Sequence, residues 1–134
     1  SKMADGAVVI RRVQDTEPAV KFDGPTEASE GAMKMELRVM IGPTDGAGVF
    51  TMRHLNVEPG GCTMAHSHPY EHEVYVLEGE MTVVGEGEDT IVGPGAAVFI
   101  PPSVFHSFRN PSDANELKFL CSIPNAKYQD LKTK

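Results

Sequence analysis

Between Gly60 and Gly79 the chain reads Gly-Gly-Cys-Thr-Met-Ala-His-Ser-His-Pro-Tyr-Glu-His-Glu-Val-Tyr-Val-Leu-Glu-Gly. Three of the chain's 5 histidines stand in this stretch. His66 and His68 are two apart, a spacing that puts both side chains on one face of an extended strand. Pro69 marks a short turn after them. The run Val74-Tyr75-Val76-Leu77 is β-branched and aromatic, so it is expected to be a strand that His72 opens. Two neighbouring strands then aim three imidazoles at one point, which is the arrangement a transition metal needs.

The rest of the chain fits this β reading. The 13 Gly and 10 Pro are spread along 134 residues rather than pooled in a linker. They punctuate short apolar runs, and about ten strands are expected, with no convincing helix. The expected strands include Val8–Val13, Lys34–Ile41 and Val49–Val57, with Glu58-Pro59-Gly60-Gly61 as a turn. Met81–Val84, Thr90–Val92, Ala97–Ile100, Val104–Phe108 and Glu116–Ile123 follow. Gln14–Ala32 is polar and reads as a connection lying across a partner subunit. Asn125–Lys134 reads as a short helix or a disordered tail. Short strands at this spacing belong to a β-sandwich or barrel.

Alternation assigns faces. Thr51, Arg53, Leu55 and Val57 share one side of their strand, with His54 opposite. Leu117, Phe119, Cys121 and Ile123 share the apolar side of the last strand. Arg53, Phe119 and Cys121 are therefore candidate pocket residues. Arg53 suits bidentate binding of a carboxylate. A buried Cys121 is expected to behave as a small apolar side chain rather than a nucleophile. Most of the methionines are expected in the core and pocket.

A net charge of −7 argues against nucleic acid or an anionic membrane as partner. Two cysteines, Cys62 and Cys121, make no disulfide framework. No secretory signal or membrane span is visible, and a cytoplasmic location is expected.

His106 stands apart, among Val104, Phe105 and Phe108. A metal held by three residues of one hairpin takes its next ligand from a neighbouring strand, and His106 is the candidate. Here the sequence closely resembles the cupin family. Its first motif is matched by Gly60, His66, His68, His72 or Glu73, and Gly79. Its second is matched by Gly95, Pro101, Ser103, His106 and Asn110. The likeness covers about residues 45–123. It implies an all-β cupin jelly-roll barrel, a double-stranded β-helix with little or no helix. The chain, 1–134, is then a single domain: an N-terminal strand and arm (1–44), the motif core, and a C-terminal tail (124–134).

Two positions depart from the family's pattern. Ser103 replaces a glycine and must hold a tight turn. His72 stands where many cupins have Glu, with Glu73 next to it. Alternation allows only one of the two to face a metal. His72 has the right spacing to Gly79 and shares its face with Val74 and Val76, so the expected ligands are His66, His68, His72 and His106. Small single-domain cupins with four histidine ligands show this pattern.

The resemblance implies one divalent transition metal per chain. Imidazole suits Zn, Cu, Fe and Ni, and the family also holds Mn. Four neutral ligands leave the ion's charge uncompensated and favour anionic, oxygen-containing small molecules. A metal-dependent dioxygenase-type oxidoreductase is expected first. A non-redox isomerase, lyase or decarboxylase comes second, and a metal-stabilised binding module third. A homodimer is also expected, since small cupins commonly bury an outer sheet face against a partner.

Overall fold

The computed structural model describes residues 6–129. It contains nine strands, β1 (Val20–Phe22), β2 (Met33–Ile41), β3 (Phe50–Cys62), β4 (His72–Glu78), β5 (Met81–Val84), β6 (Thr90–Val92), β7 (Ala97–Ile100), β8 (Ser107–Arg109) and β9 (Leu117–Pro124). Four single turns of 3-10 helix are the helical content of the described residues. None of their helices is long and apolar enough to cross a membrane. The strands form one curled, all-antiparallel jelly-roll sheet in the order β6-β5-β8-β3-β9-β4-β7, with β2 and β1 branching from β3.

The long strand β3 makes the curl possible. Its first part pairs with β9 from Phe50↔Pro124 to Val57↔Leu117, and its last residue, Cys62, pairs with Arg109 of β8. One strand thereby serves both walls. The expected turn at Glu58–Gly61 is instead a bulge inside β3. On β2 the register jumps from Met35↔Val57 to Met33↔Cys62, and Lys34 takes φ 53 to absorb the difference. Proline and glycine break the ladder there without reversing the chain.

The core follows the alternation. Met35, Leu37, Leu55, Val57, Val74, Val76, Leu117 and Phe119 are all buried between the walls. Phe119 has no exposed surface, and cutting such a ring back to alanine costs about 3–5 kcal/mol. Met35, Met40 and Met81 are buried as expected, whereas Met52 faces out on the β3 surface.

Gly79 turns β4 into β5 at φ 81, and a Cβ there would sit 2.2 Å from Glu116 O. No other residue fits that crossing. Asn110 is a staple: its amide donates to Val57 O and Asn115 O, and its Oδ1 accepts from Ser112 N–H.

Two further expectations are corrected. Val8–Val13 is not a strand; Val8 and Ile10 are 78% and 74% exposed, and the first ladder starts at Val20. No strand of the described residues pairs with that segment. It is tethered by Arg11, which grips both oxygens of Asp45 at 2.8 and 2.9 Å. Val104–Phe108 shortens to Ser107–Arg109, because Ser103 and Val104 close a turn instead. The tail holds a 3-10 turn at Ala126–Tyr128, while residues 130–134 lie outside the described residues.

Candidate metal centre

His66, His68, His72 and His106 come together inside the curl, each offering one ring nitrogen within 4.8 Å of the others. His72 opens β4 and points inward with Val74 and Val76, while Glu73 is exposed on the other face. His66 and His68 lie outside regular strand. A single bridge replaces the expected ladder: His66 N–H donates to His106 O at 3.1 Å, and His106 N–H donates to His66 O at 3.0 Å. The two halves of the site are thus sewn together by their own backbones. Ser103, at φ 68, adds a third stitch, donating its N–H to His68 O at 2.7 Å.

The outer nitrogens are fixed in turn. His68 Nδ1 is 2.8 Å from Tyr70 O, and His106 Nδ1 is 2.8 Å from Val104 O. A carbonyl only accepts, so both rings carry the proton on Nδ1 and turn a bare Nε2 inward. His72 Nε2 is 2.5 Å from His68 Nε2. Its Nδ1 contacts Cys121 Sγ at 2.8 Å and Arg53 Nη2 at 3.3 Å. The Tyr70 ring stacks on His68 with centroids 3.9 Å apart and 6° between planes.

Electrostatics favour the neutral form of His68, His72 and His106. Burial depresses His72 most, with help from the Arg53 guanidinium and the neighbouring imidazoles, and its pKa falls to about 2. Burial also lowers His68 and His106. Neutral imidazoles keep the lone pairs that a cation needs, so the donor set fits a divalent transition metal.

A cavity of about 50 Å³ adjoins the cluster. Leu37, Leu55, Met64, Phe108 and Phe119 supply its apolar lining, while Arg53, Thr63, Tyr70 and Cys121 supply polar atoms. Among the described residues, no carboxylate or lysine lines it. Arg53, on β3, reaches Cys121 Sγ at 3.0 Å through Nη2, and its buried Nε has no partner among the described residues. Burial raises the Cys121 thiol above its usual pKa, against the pull of Arg53. All three pocket candidates from the sequence therefore border this cavity. Tyr70 was not among them: its signal, one residue two places past His68, is no stronger than that of any loop aromatic.

The cupin domain family model matches residues 53–123. No curated protein matches the chain. Among solved structures the chain is similar to the polyketide cyclase RemF from Streptomyces resistomycificus, with 35% identity, 87% of this chain and 80% of that chain covered, and a TM-score of 0.71. It is also similar to a cupin-2 domain from Rhodospirillum rubrum, with 24% identity, coverages of 85% and 72%, and a TM-score of 0.72. A predicted oxalate decarboxylase from Thermotoga maritima shares the fold at 19% identity, coverages of 87% and 98%, and a TM-score of 0.73.

Proposed function

The chain belongs to the cupin family, and from that premise we propose that it is an enzyme that holds one divalent transition metal on His66, His68, His72 and His106. The substrate is a small molecule with an anionic oxygen, and the reaction is of the dioxygenase type. When bound, such an ion supplies electron transfer between substrate and dioxygen.

The chain's own residues supply the rest. Arg53 binds the anionic oxygen, since its buried Nε is a donor with no partner. Phe108, Phe119, Leu55 and Met64 keep water from the reacting atoms. The observation that carries this reading is the cavity lining: it is mostly apolar, and with the imidazoles on an ion Tyr70 and Cys121 are the residues of that lining left to move a proton. Isomerases and lyases depend on such proton transfer, whereas oxidation in a narrow apolar space depends on it less.

A second reading rests on the likeness to RemF, which is a polyketide cyclase. In that reading the four histidines would hold an ion that would supply Lewis-acid polarisation of a carbonyl without electron exchange, and Tyr70 or Cys121 handles protons. Oxygen consumption separates the two. Metal-loaded protein incubated with small carboxylates and with β-dicarbonyl compounds takes up dioxygen under the first reading. Turnover that continues without dioxygen supports the second. Arg53→Ala is expected to weaken oxalate binding at least about tenfold and to leave metal content unchanged. Unchanged oxalate affinity in calorimetry removes Arg53 from the substrate site.

We also propose a homodimer. Tyr75, Leu77 and Phe99 are exposed apolar side chains on the outer faces of β4 and β7. Apolar area of this kind marks an interaction surface. A monomer mass in sedimentation refutes this.

A further inference from the structure

Three of the four imidazoles have an outer nitrogen set by a short contact, to Tyr70 O, to Val104 O or to Cys121 Sγ. His66 differs. The charged group facing its Nδ1 is the Glu30 carboxylate, with Oε2 3.7 Å away.

Glu30 occupies an unusual position. It closes the 3-10 turn Glu27–Ser29 with φ 51 and ψ 40, in the left-handed region. Glycine enters that region freely and glutamate does not. A strained backbone position that persists next to a cluster of ligands invites a functional explanation. The backbone around it is firmly placed. Ala65 N–H donates to Glu30 O at 3.0 Å, one residue before His66. Ser29 is fully buried, and its hydroxyl closes the turn on Thr26.

We infer that Glu30 is the outer partner of His66, a positioning residue for the metal ligand; this rests on the proposed metal centre. With Nε2 on the ion, His66 carries its proton on Nδ1, and the carboxylate accepts it in a hydrogen bond. That contact fixes the tautomer and the ring plane. It also brings one negative charge to a site whose four ligands are neutral. The carboxylate is 56% exposed, so it moves readily across the short remaining gap.

The test uses the full chain stripped of metal and titrated with Co(II) or Zn(II) against a competing chelator. Wild type, Glu30→Gln and Glu30→Gly are compared, and the visible spectrum of the Co(II) form is recorded. Both variants are expected to bind about tenfold more weakly, with a shifted Co(II) spectrum. Glycine relieves the left-handed backbone, so metal-free Glu30→Gly is expected to melt at or above wild type. A merely structural Glu30 gives a different result: the glycine variant gains stability and keeps its affinity. Unchanged affinity in Glu30→Gln, with wild type binding one ion, overturns the role of Glu30 and leaves the metal centre standing. Loss in Glu30→Gly alone also overturns it. No metal binding by wild type overturns the metal centre and this inference together.

Discussion

Cys121 Sγ lies 2.8 Å from His72 Nδ1, so a thiol on β9 sets the ring of an imidazole on β4. Arg53 Nη2 reaches the same sulfur at 3.0 Å. With an ion on Nε2, His72 keeps its proton on Nδ1 and donates it to the sulfur. Cys121 then works as an acceptor in the wall of the cavity rather than as a nucleophile.

This gives a prediction with two arms. Cys121→Val removes the acceptor and adds about one methyl group at a buried position, and metal affinity is expected to fall about tenfold. Cys121→Ser retains an acceptor and is expected to stay much closer to wild type. Chelator competition measures both. Equal affinity in the valine variant removes Cys121 from the support of His72.

Ser103 offers a second prediction. It holds φ 68 where the family's second motif has glycine, and its N–H must reach His68 O in that conformation. Ser103→Gly is expected to stabilise the metal-free protein by about 0.5–1 kcal/mol, a rise in Tm of about 2–5 °C. Thermal melts followed by circular dichroism check this. A lower Tm means that the serine side chain contributes something the backbone does not.

His54 carries the third. It is buried on the outer face of β3, opposite Arg53, with Arg38 and Lys118 nearby. Burial first, then those two cations, lower its pKa below the ordinary 6.5. The unfolded chain therefore takes up a proton below pH 6.5 that the folded chain refuses. The neutral ring's contribution to stability is present above that pH and is lost as pH falls toward the folded value. His54→Gln is expected to flatten the fall in urea midpoint between about pH 7 and pH 5 relative to wild type. Parallel curves exclude His54 from the acid response.

Much of this was legible in the sequence, for local reasons. Alternation placed Arg53, Phe119 and Cys121 on inward faces because period-two side chains on a half-buried strand have no other option. It also separated His72 from Glu73. Other features lay beyond local pattern. Glu58–Gly61 carries every signal of a turn and forms a bulge, because β2 and β8 hold β3 on both sides of it. Val8 and Ile10 look like strand residues and find no partner strand in the described chain. Glu30 lies 36 residues from His66 and stands in a polar connection, so only the folded backbone brings them together.

The central claim is the identity of the four ligands, and metal content tests it most directly. Wild type, His72→Ala and Glu73→Ala are purified without a tag and analysed by mass spectrometry for metal per chain. The geometry predicts one transition-metal ion per chain in wild type and in Glu73→Ala, and its loss in His72→Ala. Metal retained in His72→Ala and lost in Glu73→Ala would contradict the assignment, and no metal in wild type would contradict the site itself.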